Sequence, residues 1–314
     1  MILFLCYNVI GDSMEDIIQE LVQCGYDKDE IASLISYTKK DVDLVSDEIL
    51  LKDAQNCTLS NNPRAIYIGG QPGAGKSVIS MGIKKADSSF VEIAMDNYRT
   101  YHPKYDEIEE CVKKHWSNRK LSESDTPGND IAHFTHVFAG EVVDEVIKKA
   151  TDQKYNVAIE WNLREPYQPL QSMKELKEKG YSINTWVLAV SKDISAAAYK
   201  MRADIMNDYG HIMRRVSKKF HDRCITDIPD SVDFLKKHGL DEGIINNLLV
   251  IDRDGNILWN NNKTNSPGEV LQQTIDTNVN EVEKYNSPIF ARLSFEKEGE
   301  GLNPVLINSN TKNF

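Results

Sequence analysis

The sequence lacks paired cysteines, an excess of basic residues and any apolar run long enough to cross a bilayer, and each absence narrows what the chain can be. Its five cysteines, Cys6, Cys24, Cys57, Cys111 and Cys224, are odd in number and scattered, with no C-x-x-C pair. A disulfide framework and a zinc site are therefore both set aside. A formal charge of −11 over 314 residues argues against general binding to nucleic acid or to an anionic membrane. The opening MILFLCYNVI is apolar but only ten residues long, short of the roughly 20 that a spanning helix needs. It reads as a buried strand or anchoring segment, with a divergent signal peptide as the lesser reading. There is no internal repeat and no low-complexity tract. A cytoplasmic protein is the expectation, with delivery into a host cell as an effector left open. What remains is a globular chain with room for a large core, in which any phosphate ligand must be met by locally gathered cations.

The strongest signal is Ile66 to Ser77, IYIGGQPGAGKS. The apolar run Ala65-Ile66-Tyr67-Ile68 has strand character and leads into Gly70-Gln71-Pro72-Gly73-Ala74-Gly75-Lys76-Ser77, which fills every position of G-x-x-x-x-G-K-[ST]. Glycines let backbone N–H groups close around phosphate oxygens, and the following helix N-terminus adds partial positive charge. Gly70, Gly73, Ala74 and Gly75 are thus the candidate cradle, Lys76 the side chain that reaches the terminal phosphates, and Ser77 a ligand for Mg²⁺. The bland alternative is a glycine-rich turn before an ordinary helix; the strand before it and the periodic Val78, Ile79 and Ile83 after it favour the nucleotide site.

Residues 14 to about 54 read as three short helices, with Asp27-x-x-Glu30 and Thr38-x-x-Asp41 as capping boxes. Cys24-Gly25-Tyr26, Asp41-Val42-Asp43-Leu44 and Ile49-Leu50-Leu51 together resemble the ubiquitin-associated domain pattern. That resemblance implies a ubiquitin partner for residues 14–54; an unrelated helical bundle is the plainer reading. The polar stretch Asn56 to Pro63 marks the expected boundary, giving a helical unit over 1–60, a nucleotide domain over 61–285 and a tail over 286–314.

Downstream, Phe90 to Met95 reads as a strand that delivers Asp96 to the carboxyl edge of a sheet, where ligands of open α/β sheets bind. Asn97 to Glu107 reads as a loop, Trp116 to Asn129 as a mobile connection, and Phe134 to Lys149 as a helix. Tyr155 to Glu160 is the next strand, an apolar run ending in an acid suited to stand near a metal, with Arg164 following. A helix over 170–179, a strand over 183–190 and a helix over 194–208 bearing Arg202 come next. Arg214, Arg215, Lys218, Lys219, His221 and Arg223 then reverse the local charge. They suggest a lid over phosphates, against the plainer reading of a solvated helix face. Short helices over 231–238 and 241–248, a hairpin over 250–259 turning at Asp254-Gly255, a helix over 268–285 and a loose tail complete the expectation. The fold class is α/β, a mostly parallel doubly wound sheet preceded by a small three-helix unit.

Gly-Gly-Gln-Pro-Gly-x-Gly-Lys-Ser, Asp96 followed by His102-Pro103-x-Tyr105-Asp106-Glu107, Tyr155-Asn156 leading to Ile159-Glu160, and later Arg202 and Arg214 together resemble the zeta toxin family. The likeness runs from about Ala65 to Trp259. These are P-loop kinases of bacterial toxin–antitoxin systems whose members phosphorylate the amino-sugar 3′-hydroxyl of UDP-N-acetylglucosamine. The resemblance implies ATP and Mg²⁺, with Asp96 as the carboxylate that takes the hydroxyl proton. It makes Lys76, Arg202 and Arg214 the cations on the transferred group, and Ser77 and Glu160 the metal-side residues. Acceptor contacts would fall to Asp144, Glu160, Asn162, Arg164 and Ser172.

This chain departs from the family on the acceptor side. Asp144 stands where the family has glutamate, Trp161-Asn162 where it has Gly-Thr, and Ser172 where it has threonine. Another acceptor such as NAD therefore stays open, as does a nucleotide-dependent interaction protein in place of an enzyme. The family's separate antitoxin also raises an antitoxin-like partner for residues 14–54, or a cis-inhibitory role for residues 1–60.

Overall fold

The structure is a computed structural model that describes residues 14–117, 127–208, 214, 216–277, 293–298 and 301–306. Its elements run α1 (Met14–Gln23), α2 (Lys28–Leu34), α3 (Lys39–Asp53), β1 (Arg64–Gly69), α4 (Lys76–Ala86), β2 (Phe90–Ile93) and a 3₁₀ helix (Met95–Tyr101). Next come α5 (Tyr105–Trp116), α6 (Pro127–Phe134), α7 (His136–Asp152), β3 (Asn156–Glu160), α8 (Tyr167–Glu178), β4 (Ser182–Leu188) and α9 (Lys192–Asp208). The remainder are α10 (Lys218–Leu235), β5 (Asn247–Ile251), β6 (Ile257–Trp259), α11 (Pro267–Ile275), β7 (Leu293–Glu298) and β8 (Gly301–Leu306). The contacts divide the chain into two units. One holds residues 1–52, 94–149 and 200–220, the other 53–93, 150–199 and 221–314.

The second unit contains the six-stranded sheet, in the order β2-β3-β1-β4-β5-β6. The β2–β3, β3–β1, β1–β4 and β4–β5 pairs are parallel, and β6 closes the edge antiparallel. With β2 and β3 on one side of β1 and β4 to β6 on the other, the direction of connection reverses at β1. The carboxyl end of that strand is where such sheets bind ligands. The strands read as continuous apolar runs because both faces are covered: Ile66, Ile68, Phe90, Trp186, Leu249 and Ile251 are buried with Ile79 and Ile83 of α4. The expected α/β class with a mostly parallel sheet is what the structure shows.

In the first unit the three N-terminal helices form as their caps dictate. Asp27 Oδ1 accepts from the backbone N–H groups of Asp29 and Glu30. Thr38 and Asp41 cap each other reciprocally, Thr38 N donating to Asp41 Oδ2 at 2.7 Å and Asp41 N to Thr38 Oγ1 at 3.3 Å. Ile17, Leu21, Tyr26 and Ile31 share a core with Ile108 and Val112 of α5, Ile131 and Phe134 of α6, and Val137 of α7. Within that core the buried Asp130 carboxylate accepts from Tyr26 Oη at 2.7 Å and Trp116 Nε1 at 2.6 Å. Tyr26, at the loop on which the ubiquitin-associated resemblance rests, is only 4 % exposed. Its ring is spent on internal packing, which gives the ubiquitin reading no support.

Several sequence expectations change. Tyr105–Glu107, the end of the expected loop, begins helix α5, and Pro127–Asn129, the end of the expected mobile connection, begins helix α6. In α5 only Ile108 and Val112 are buried, so a two-residue stripe in a charged segment carried too little periodicity to stand out. The helix expected over 241–248 is absent. The chain leaves α10 through a π turn at Lys236–Leu240, passes Gly243 at φ +76° and enters β5 at Asn247. Part of the expected loose tail pairs as the antiparallel β7–β8 hairpin. The opening segment, most of the 116–129 connection, residues 209–213 and 215 of the expected lid, and the end of the expected last helix lie outside the described residues. No helix among the described residues is long and apolar enough to cross a membrane.

Candidate active site

The phosphate loop leaves β1 at Gly69 and closes on α4. Two of its glycines are required by geometry. Gly73 has φ +78°, and a Cβ there would strike the carbonyl oxygen of Ser195. Gly75, the N-cap of α4, has φ +105° and supplies no side-chain cap, so the first turn of the helix is left to a ligand of negative charge. Gln71 fastens the loop to the sheet by donating Nε2 to the Val190 carbonyl at 2.7 Å. Below it Ser195 and His221, both fully buried, are joined Oγ to Nε2 at 2.9 Å.

Lys76 folds back over this loop, its Nζ donating to the carbonyls of Gly70 at 2.8 Å and Gln71 at 3.3 Å. Ser77 Oγ donates to Glu160 Oε2 at 3.2 Å. The parallel register sets Glu160 beside Ile68 at the end of β3, which is why an acid at that strand end meets the loop serine. A hydroxyl and a carboxylate are the hard oxygen donors that Mg²⁺ takes together with substrate phosphates, so Ser77 and Glu160 fit this metal. Among the described residues no cluster of three or more His, Cys, Asp or Glu could hold a metal by itself.

Beyond Glu160 the chain turns inward. Trp161 is 5 % exposed, so its indole lies in the protein interior. Asn162 Oδ1 accepts from Arg164 N at 3.0 Å, fixing the turn. Arg164 is buried with Nε 3.8 Å from Asp227 Oδ2, and its carbonyl accepts from Ser231 Oγ at 2.9 Å. Ser172 stands apart from these: it is buried in α8 and shares a 2.6 Å hydrogen bond with Tyr67 Oη of β1.

In the other unit, Asp96 sits in the first turn of the 3₁₀ helix. Arg99, one turn on, donates Nε to Asp96 Oδ1 at 2.9 Å, and Arg214 Nη1 stands 3.9 Å from the same oxygen. Removal of solvent would raise the Asp96 pKa; the charges of Arg99, Arg214 and Arg202 and the Arg99 hydrogen bond outweigh that and hold it well below the usual carboxylate range. Asp96 keeps 64 % of its side-chain surface exposed and so remains open to a ligand. The structure thereby brings Asp96, Arg202 and Arg214 together electrostatically.

Two residues of this cluster carried no signal in the sequence reading. Arg99 is buried, and its Nη1 donates to the Ala132 carbonyl at 2.7 Å and Thr135 Oγ1 at 3.4 Å, tying the Asp96 clamp to the α6–α7 junction. The spacing Asp-x-x-Arg could have marked it. His136 is 5 % exposed, with neither ring nitrogen hydrogen-bonded among the described residues. Burial first, then Arg99 and Arg214, push its pKa down to about 3, so the ring is neutral at pH 7. Asp144 follows His136 on α7 at eight residues, with Gly140 between, a spacing that puts the three on one helix face.

A complete phosphate loop on the first strand of a mostly parallel sheet, with a strand-end acid on its serine, defines a P-loop nucleotide-binding protein. The chain belongs to the zeta toxin family, whose pattern, described as Zeta toxin, matches residues 47–264. It is 26 % identical to Toxin zeta of Streptococcus pyogenes over 253 residues, 79 % of this chain and 82 % of that protein. To Toxin PezT of Streptococcus pneumoniae serotype 4 it is 28 % identical over 230 residues, 72 % and 83 % of the two. Among solved structures it is similar to a chain from the PezAT chromosomal toxin–antitoxin system of Streptococcus pneumoniae. That match has a TM-score of 0.65 at 24 % identity and covers 80 % of this chain and 94 % of that one, which shows a shared fold.

Proposed function

We propose that this protein is an ATP-dependent small-molecule kinase, a toxin or effector, which transfers the γ-phosphoryl group to a hydroxyl of a nucleotide-sugar resembling UDP-N-acetylglucosamine. The observation that carries the reading is the Asp96 carboxylate held ionised by Arg99 with Arg214 beside it. A nucleotide switch has no use for such a group, whereas phosphoryl transfer asks for an oriented carboxylate and cations around the moving group.

In the proposed reaction the acceptor hydroxyl gives its proton to Asp96 while its oxygen bonds to the γ-phosphorus and the bond to the β-phosphate oxygen breaks, leaving ADP. Ser77 and Glu160 would hold Mg²⁺, which would supply charge neutralisation to the transferring phosphates. Lys76, Arg202 and Arg214 attract the same charge, and Gly70, Gly73, Ala74 and Gly75 supply loop backbone. A carboxylate of such low pKa is a weak base, so its first contribution is to orient the hydroxyl, with proton transfer following as the bond to phosphorus forms. Asp144, Asn162 and Arg164 are assigned to the acceptor side; Ser172, buried against Tyr67 Oη, lends that assignment no support.

The acceptor could instead be another nucleotide such as NAD, a second reading favoured by Asp144 and by Trp161–Asn162, where this chain leaves the family pattern. PezT is part of a toxin–antitoxin system, and an antitoxin-like partner belongs to the proposal here. On α3, Leu44 and Leu51 are 57 % and 74 % exposed and lie seven residues apart, which would give it one apolar face. Transfer of ³²P from ATP tests the enzyme reading: Lys76→Ala and Asp96→Ala are each expected to abolish it without changing the melting temperature by more than a few degrees. Full transfer by Asp96→Ala would remove the assigned base.

A further inference from the structure

Arg253 lies in the turn between β5 and β6, in the same unit as the phosphate loop. The strand it follows, β5, is parallel to β4, which is parallel to β1, so the turn leaves the sheet at the same carboxyl edge as the loop. It is a built turn. Asp252 Oδ1 accepts from the backbone N–H groups of Asp254 at 2.9 Å and Asn256 at 2.8 Å, and Oδ2 accepts from Asn256 Nδ2 at 2.7 Å. Asp252 N donates to the Asn256 carbonyl at 3.0 Å, and Gly255 takes φ +86° to complete the reversal. Arg253 is therefore presented from a fixed backbone.

The guanidinium reaches the phosphate loop. Its Nε stands 3.9 Å from the point where a Cβ on Gly75 would be, next to the N-terminus of α4. Nε and Nη1 are buried, with no hydrogen-bond partner among the described residues. An arginine cannot shed its proton, and a buried donor left without an acceptor carries its full desolvation penalty. The position is also adverse in charge, since a helix N-terminus carries partial positive charge of its own. A cation held there with unsatisfied donors is relieved by one kind of ligand, an anion with several acceptor oxygens. The neighbouring carboxylates answer this poorly: Asp252 is committed to the turn, and Asp254 is exposed.

We propose that Arg253 is a phosphate-binding residue of the nucleotide site, adding a cation from the β5–β6 turn to the backbone cradle and Lys76. The inference rests on the reading that the loop holds a nucleotide, and it makes the ligand a nucleoside polyphosphate recognised through its phosphate chain. Arg253 then serves the phosphate-donor side of the site, carried by the β5–β6 turn.

Calorimetric titration of the full chain, in Mg²⁺, with ATP and separately with inorganic tripolyphosphate tests this without needing the acceptor. Arg253→Ala is expected to weaken both ligands by tenfold or more, and Arg253→Lys by less, because a point charge keeps part of the attraction. Arg253→Met, which keeps the apolar stem, guards against a folding defect and is expected to match Arg253→Ala while melting like the parent. Unchanged affinity for both ligands would overturn the proposal. So would weaker ATP binding with tripolyphosphate unaffected, which would put the guanidinium on the base. A parent protein that binds ATP and tripolyphosphate but phosphorylates no acceptor would sink the kinase reading and leave Arg253 standing.

Discussion

Arg99 donates Nε to Asp96 Oδ1 at 2.9 Å while its Nη1 donates to the Ala132 carbonyl at 2.7 Å. One buried guanidinium thus sets both the charge state of the proposed base and its position against the α6–α7 junction. Arg99→Met is expected to lower kcat by about 10²-fold, the size of effect that misplacing a catalytic group carries. Lysine should not rescue it, since a single ammonium cannot bridge Asp96 and Ala132 as the planar fork does. Steady-state kinetics of the two variants check this.

The same pairing fixes a pH dependence. Asp96 has its folded pKa depressed below its ordinary 3.8, so it stays ionised as the pH falls through the range where enzymes are assayed. Its contribution to stability is present above that ordinary value and is lost only as the pH drops through the lower folded one. The pH–rate profile of the parent should therefore show no acid limb from Asp96 above pH about 5. In Arg99→Met an acid limb should move upward, because the largest charge lowering that pKa is gone. A profile identical in parent and variant would detach Arg99 from the base.

Much of this arrangement was legible in the residues. The loop, the acid ending β3 and Asp96 beyond β2 are local patterns whose chemistry depends on a few neighbours, and the capping boxes at Asp27 and Thr38 fixed helix starts in the same local way. What did not show were the residues whose role comes from contacts distant in sequence. Arg99 meets Ala132 and Thr135 more than thirty positions on, and Tyr26 meets Asp130 across 104 positions. Helix α5 escaped notice because its buried stripe is two residues wide. The hydrophobic periodicity of α1 and α2 located those helices without saying that α5, α6 and α7 would complete their core.

His102 supplies a stability test. It is 3 % exposed, and burial first, with Lys104 adding, pushes its pKa from 6.5 down to about 4. Below pH 6.5 the unfolded chain takes a proton that the folded one refuses, so stability falls as the pH drops from 6.5 towards 4 and is fully present above 6.5. The loss should approach roughly 3 kcal/mol at the bottom of that window. Urea unfolding at several pH values should show it, and His102→Phe, whose ring can keep the contacts with Tyr37 and Phe138, should flatten the curve.

Ser77→Ala should separate metal-assisted from metal-free binding. With the hydroxyl that faces Glu160 removed, ATP affinity is expected to fall by about tenfold or more in Mg²⁺ and to change little in chelator. Equal affinity in Mg²⁺ for parent and variant would take Ser77 out of the metal site.

Gly73→Ala should disable the loop with the remaining site residues in place. Its φ of +78° and the Ser195 carbonyl against it leave no room for a methyl group. Strain of about 1–3 kcal/mol is expected where the backbone is held in such a region, with ATP binding lost before the sheet melts. Parallel calorimetry and thermal unfolding distinguish this from global unfolding.

In the proposed reaction Asp96 serves transfer of a phosphoryl group from ATP to a small-molecule hydroxyl. Mass spectrometry of the purified full chain incubated with ATP, Mg²⁺ and a panel of nucleotide-sugars and dinucleotides tests it directly. One acceptor is expected to gain the mass of a single phosphoryl group with the parent protein, and none with Asp96→Asn. An acceptor phosphorylated equally by both proteins, or ATP bound tightly with no member of the panel modified, would contradict it.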